Sequence, residues 1–132
     1  MASNGSTAKG SERIDKSRTF PLQFAKIPIL EGEHILLIDV EDIFYIRGAG
    51  DYTSIQTSQK NLLCTLTLNE LEQRLHDKSF FRVHRSFIAN LNKCEFICLG
   101  HGRRYLQLCD RASTKIPISR GKVKMLRDFI GF

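Results

Sequence analysis

The stretch that most constrains the fold is residues 80–91, F-F-R-V-H-R-S-F-I-A-N-L. Its first half alternates. Phe81 and Val83 fall on one face and Arg82 and His84 on the other, the two-residue period of a half-buried strand. Then the period changes. Phe87, Ile88 and Leu91 stand at i, i+1 and i+4, a spacing that suits one helical turn better than a strand. Between the two apolar anchors sit Arg82, His84, Arg85 and Ser86. The expected result is a rigid fingertip, a run of hydrogen-bond donors held out of a packed wall at a sharp bend. Such a tip suits a polar or anionic target.

The charge distribution points the same way. Residues 1–78 carry nine Lys and Arg against eleven Asp and Glu, a balance of −2. Residues 79–132 carry eleven against three, a balance of +8. The fingertip therefore opens the electropositive half, and such an asymmetry concentrates field on part of a small surface, as a polyanion site requires. A solvated basic face is the bland alternative.

The chain has 132 residues, enough for one domain with a real core and too few for two. No apolar run approaches the roughly 20 residues that span a bilayer. The first residues lack the apolar segment of a secretory signal. The expected setting is cytoplasmic, with no membrane role. Cys64, Cys94, Cys98 and Cys109 form no C-x-x-C and have no histidine at zinc-finger spacing. They read as reduced, buried thiols acting as small hydrophobes. Cys94 or Cys98 facing Cys109 across a hairpin leaves a redox role open.

In chain order, residues 1–19 are rich in Ser, Gly and charge and read as a disordered tail or linker. Residues 20–132 read as one domain. Leu22 to Leu30 suits an edge strand because it holds Pro21 and Pro28 on and beside it. Strands follow at His34 to Asp39, Val40 to Arg47, Tyr52 to Thr57 and Leu62 to Leu66. Thr67-x-x-Glu70 is a capping box that opens a helix over residues 67–75, with Leu68, Leu71 and Leu75 on one stripe. Two more strands, Cys94 to Leu99 and Arg104 to Cys109, flank the turn Gly100-His101-Gly102-Arg103. Lys115 to Ile118 is a last strand, demanding an edge because of Pro117. Ser119 offers an N-cap to a helix over residues 120–130. The class is mainly β, with about ten short strands, one short internal helix and a C-terminal helix.

No enzyme is expected. His84 and Ser86 stand two apart, with Asp77 and Asp110 elsewhere, but nothing resembles a nucleophile elbow, a P-loop, a paired-histidine metal motif or a dinucleotide fingerprint. No cofactor or metal is called for. Anion recognition fits better. Arg82 and Arg85 form one cluster, and Arg120, Lys122 and Lys124 another at a helix start, where free amides favour phosphate. Arg85 and Arg120 suit guanine edges. Ser86, Ser119, Thr53 and Tyr52 are short donors of the kind that fix a nucleic-acid backbone. For Arg82 the competing role is a salt bridge to Glu70 or Glu72. For His84 it is a strap across the bend.

The segment at residues 80–91 closely resembles the signature of the LytTR (LytR/AlgR-type) DNA-binding domain family. D-I-F-Y-I-R-G-A-G-D-Y-T-S-I-Q-T looks like that family's strand–loop–strand, T-L-N-E-L-E-Q-R-L like its internal helix, and I-P-I-S-R-G-K-V-K-M-L like its basic C-terminal segment. The likeness covers roughly Leu22 to Phe132. It implies elongated stacked sheets whose loops, rather than a recognition helix, enter DNA. It places Asp51, Tyr52, Thr53 and Ser54 near DNA, with Thr53 facing bases. It adds Arg82, Arg85 and Ser86 as contacts, and Arg120 as a base-contacting arginine. It implies paired direct repeats in promoters bound by head-to-tail protomers, and an upstream receiver or sensor as a partner. Only about twenty polar residues precede the module here, so it is expected to be a lone module, a fragment, or a regulator controlled by some other input. An alternative of another class is a module of the same fold that inhibits another regulator by protein contact. RNA binding ranks below both, because the Phe residues sit at core-like positions.

Overall fold

The computed structural model describes residues 26–132 except residue 77. The tail expected at residues 1–19, and the expected start of the first strand at Leu22, lie outside the described residues.

Among the described residues, ten strands and two α-helices follow one another in this order. They are β1 (Lys26–Glu31), β2 (His34–Asp39), β3 (Ile43–Ala49), β4 (Tyr52–Thr57), β5 (Asn61–Cys64), α1 (Leu68–Arg74), β6 (Phe80–His84), β7 (Phe87–Asn90), β8 (Cys94–Cys98), β9 (Tyr105–Leu108), β10 (Lys115–Pro117) and α2 (Val123–Ile130). Three antiparallel sheets result: β1-β2, a central β5-β4-β3-β7-β6, and β10-β9-β8. Pro117 sits on an edge strand, where its missing N–H costs no ladder bond.

The central sheet is apolar on both faces, and each face has its own core. One core joins Ile43, Ile46, Ile55 and Ile88 of the central sheet to Ile27 and Ile29 of β1 and to Leu68 and Leu71 of α1. The other joins Phe44, Val83 and Ala89 to Leu106 and Leu108 of β9, Ile116 of β10 and Leu126 of α2. Double coverage explains the one element that the spacing misassigns. Phe87 to Asn90 is a strand, not a helical turn; the 3-10 turn begins after it, at residues 91–93. Phe87 and Ala89 pack into one core and Ile88 into the other, so the two-residue period is present but every position is apolar or buried.

Local signals behave as their chemistry demands. Thr67 Oγ1 accepts from the Glu70 N–H at 3.1 Å, and the Glu70 carboxylate accepts from the Thr67 N–H at 2.8 Å. Ser119 departs from expectation. Its side chain makes no capping bond, because residues 120–122 form a 3-10 turn before α2 begins. The thiols also differ from one another. Cys64 is buried, Cys94 and Cys98 are half-buried, and Cys109 is exposed, which corrects the expectation of four buried thiols. Cys94 lies opposite Leu108 and Cys98 opposite Tyr105, so neither faces Cys109 in register. Burial pushes the Cys64 and Cys94 thiols up, which disfavours the reactive thiolate.

Asn90 closes the β6–β7 hairpin from inside. It is 2% exposed. Its amide donates to the Ile43 carbonyl at 2.8 Å, and its oxygen accepts from Ser79 Oγ at 2.7 Å and from the Asn92 N–H at 3.0 Å. Asn90→Ala leaves the buried Ile43 carbonyl without this donor. It is expected to cost about 1–3 kcal/mol in urea unfolding.

Candidate nucleic-acid interface

The fingertip is a hairpin turn at Arg85–Ser86 between β6 and β7. A register shift between Phe81 and His84 places Arg82 and Val83 together opposite Ile88. Such a bulge re-aims side chains. Arg82 and His84 therefore do different work, although the strand period pairs them.

Arg82 reaches α1. Its Nη1 donates to Asn69 Oδ1 and lies 3.2 Å from Glu72 Oε1, and its Nη2 donates to the Arg85 carbonyl. Its side chain is 18% exposed. The competing role foreseen for it is the one built, with Glu72 as partner; the Glu70 carboxylate closes the capping box. His84 straps the bend. Its Nδ1 accepts from the Ser86 N–H at 3.1 Å. The ring meets Phe87 edge to face, with centroids 5.7 Å apart. Arg85 itself projects into solvent.

Two main-chain bonds join this tip to the other two segments. The Gly48 N–H, at the end of β3, donates to the Ser86 carbonyl at 2.9 Å. A Cβ there would lie 3.1 Å from Leu68 Cδ1, so that side chain would have to give by a few tenths of an ångström. The Ser119 N–H donates to the Val83 carbonyl at 2.8 Å. The β3–β4 turn, the fingertip and the segment before α2 are thus braced against one another by backbone. The tip is the shared strut.

The β3–β4 turn runs through Gly50, whose φ of +69° suits glycine, and Asp51. Asp51 and Tyr52 are exposed, Tyr52 by 52%. Ser54 is half-buried and donates from Oγ to Asn61 Oδ1 at 2.8 Å. Thr53 is 3% exposed and donates from Oγ1 to the Leu66 carbonyl at 2.7 Å. It faces inward, unlike the base-facing position expected for it, and Asp51 and Tyr52 are the exposed residues of this turn. In the third segment Arg120 and Lys124 are exposed, and Ser119 and Lys122 are half-buried. Lys124 Nζ lies 3.7 Å from Asp128 Oδ2, an exposed pair worth little.

Two arginines join this face that spacing alone does not reveal. Arg47 of β3 pairs across the sheet with Phe87, and its guanidinium lies 6.0 Å from that ring. Arg104 exchanges main-chain contact with Ile118, and its Nε donates to the Ile118 carbonyl at 3.2 Å. Both are exposed. Arg47 meets Phe87 across 40 residues of sequence and Arg104 meets Ile118 across 14, so no local motif could show either contact.

Arg82→Gln tests the brace. It removes the charged bridge between α1 and the Arg85 carbonyl but leaves every exposed cation in place. Stability is expected to fall by about 1 kcal/mol, discounted because Glu72 is half exposed. Duplex affinity is expected to fall as well, although Arg82 offers little surface of its own.

The LytTr DNA-binding domain family matches residues 33–131. The heme-containing CO-sensing transcriptional regulator RcoM 2 of Paraburkholderia xenovorans is 33% identical over 126 residues, covering 95% of this chain and 47% of that protein. The sensory transduction protein LytT of Bacillus cereus is 31% identical over 115 residues, covering 87% of this chain and 46% of that one. The chain spans about half the length of these curated relatives. Among solved structures, the LytTr DNA-binding domain of a methyl-accepting/DNA response regulator from Bacillus cereus superposes with a TM-score of 0.70 at 21% identity. It covers 82% of this chain and 98% of that one, and it matches the stacked antiparallel sheets. This chain belongs to the LytTR family of DNA-binding domains.

Proposed function

We propose that the chain is the sequence-specific, double-stranded DNA-binding part of a transcription regulator. It acts on paired direct repeats in promoters through loops in the major groove, as head-to-tail protomers. The observation that carries this reading is the backbone bracing of the fingertip. Gly48 to Ser86 and Val83 to Ser119 hold separate loops as one rigid basic rim. A rigid rim places donors before DNA arrives, so less ordering entropy opposes binding.

The roles divide by exposure. Arg85 and Arg120 are free to meet guanine O6 and N7 with two bonds each. Asp51 is an acceptor among cations, suited to a cytosine amine rather than a phosphate. Tyr52, Ser54, Ser86, Ser119, Lys122 and Lys124 are assigned to phosphates, as donors of the kind that fix a nucleic-acid backbone. Thr53, Arg82 and His84 act from inside, holding the turns that carry the others. Half the length of the relatives lies beyond this stretch, so the input would come from a receiver or sensor part or partner.

Selection from a random duplex pool tests the reading. The expected outcome is two like-oriented half-sites separated by about one helical turn or a multiple of it. Inverted half-sites, or no enrichment over the starting pool at moderate salt, would overturn it. The latter result would favour a module that acts on another regulator.

A further inference from the structure

The outer face of the β1–β2 hairpin is apolar and open among the described residues. Ile27, Ile29, Leu36 and Ile38 turn inward to the core. The alternate residues turn outward: Leu30 is 72% exposed, Ile35 65% and Leu37 51%. Leu30 pairs with Ile35 and Pro28 with Leu37, so the four form one continuous patch. An antiparallel pair with water on its second face keeps that face polar, so an apolar patch here marks a surface that something covers.

The hairpin is also acidic. Residues 26–42 carry one Lys against five Asp or Glu. Lys26 Nζ lies 2.6 Å from Asp39 Oδ1, which neutralises the base of the hairpin. Glu31 and Glu33 stand at its tip, and neither has a cationic partner among the described residues.

The chain that leads into β1 complements this face. Residues 16–25 read K-S-R-T-F-P-L-Q-F-A, with two cations and no Asp or Glu. Phe20, Leu22 and Phe24 recur every two residues, the same step that separates Pro28 from Leu30 and Ile35 from Leu37 on the patch. A segment that turns back at Ala25 runs from the base of the hairpin toward its tip. Phe24 then meets Pro28 and Leu37, Leu22 and Phe20 meet Leu30 and Ile35, and Arg18 and Lys16 arrive last, beside Glu31 and Glu33. The order of residue types along the segment is the order along the face. Length permits the fit: Leu30 stands four strand residues, about 13 Å, from Lys26, whereas ten extended residues reach roughly 33 Å. Pro21 withholds one of the N–H groups that a ladder needs, which suits packing across the face better than pairing along its edge.

We propose that residues 16–24 fold back over the outer face of the β1–β2 hairpin and cover it. The tether selects the occupant. A short flexible link holds the segment at an effective concentration of about millimolar, so it takes the patch ahead of a second copy or another protein. The contact opens locally, without loss of the core, so urea releases it before the sheets unfold. The hairpin is thereby a surface whose exposure the preceding chain controls.

The test is nuclear Overhauser spectroscopy on the labelled 132-residue chain at low salt, without DNA. Cross-peaks are expected from the Phe20 and Phe24 rings to the methyl groups of Leu30, Ile35 and Leu37. Leu30→Ser combined with Leu37→Ser should abolish them and leave the fingertip amide shifts in place, because both positions are exposed. Phe20→Ser combined with Phe24→Ser changes no residue of either core, so it carries the test if the hairpin variant fails to fold; it should shift the Ile35 and Leu37 methyl signals. Glu31→Lys combined with Glu33→Lys should remove most of the cross-peak intensity, and full intensity there overturns the proposal. Absence of the cross-peaks in the wild type overturns it as well. So do cross-peaks that arise only between differently labelled copies, which make a second copy the occupant. Slowed amide exchange at residues 20–24 without contacts to the outward methyls marks an added edge strand, and that too overturns it.

Discussion

Ile46→Ala is expected to lower folding stability by about 2–5 kcal/mol, the largest effect of any single substitution considered. Ile46 lies on β3, the middle strand of the central sheet, and is 0% exposed. Its register partners are Ile55 on β4 and Ile88 on β7, which are themselves 0% and 1% exposed. Three isoleucines thus meet side by side across three strands, and each is stiff at χ1. Strands held by neighbours on both sides cannot move in to fill a gap. The lost transfer energy and the cavity term therefore both apply. With a urea m-value of about 1–3 kcal/mol/M, the midpoint should fall by roughly 1–2 M. Leu30→Ala is the matching control. That side chain is already 72% exposed, so a change within about 0.5 kcal/mol is expected. A loss below about 1 kcal/mol for Ile46→Ala would contradict the double-core account.

Arg85→Ala and Arg120→Ala are expected to weaken binding to a selected duplex by about 1–3 kcal/mol each, and to relax base preference at separate positions. Both side chains are exposed, so their loss should leave unfolding unchanged. The two tips are joined through Val83 and Ser119, so they sit on one rigid unit and are expected to register together on the DNA. Lys124→Ala is the contrast. It should weaken all sequences about equally and lower the salt dependence by about one charge. Unchanged affinity and base preference for both arginine variants, in folded protein, would remove them from the site.

Much of this molecule is legible in the sequence because much of it is local. The capping box at Thr67 and Glu70 is a four-residue device, and it forms as read. Tyr52 to Thr57 is rich in Thr, Ile and Tyr and stands between two turn signals, and both strand ends fall where these put them. The errors arise where the deciding partner is distant. β7 looks helical because both of its faces are covered, and the cover comes from β1, α1 and β9. Thr53 looks like a loop donor, but the carbonyl of Leu66, 13 residues away, claims its hydroxyl. Arg82 resembles a contact residue by type and place; Asn69 and Glu72, on the preceding helix, make it a brace. Charge, by contrast, is additive and needs no fold, so the basic second half is visible at once. It cannot show that Arg47, from the acidic half, joins the same face.

The central claim is that one fingertip braces separate loops into a single DNA-facing rim. Amide chemical shifts recorded while a selected duplex is titrated into the labelled chain test it most directly. The account predicts that the largest changes fall together at residues 49–52, 84–86 and 119–122, with one common midpoint. Arg82→Gln should shrink all of them at once. Changes confined to one of these segments, or centred on the β1–β2 hairpin while all three stay silent, would contradict it.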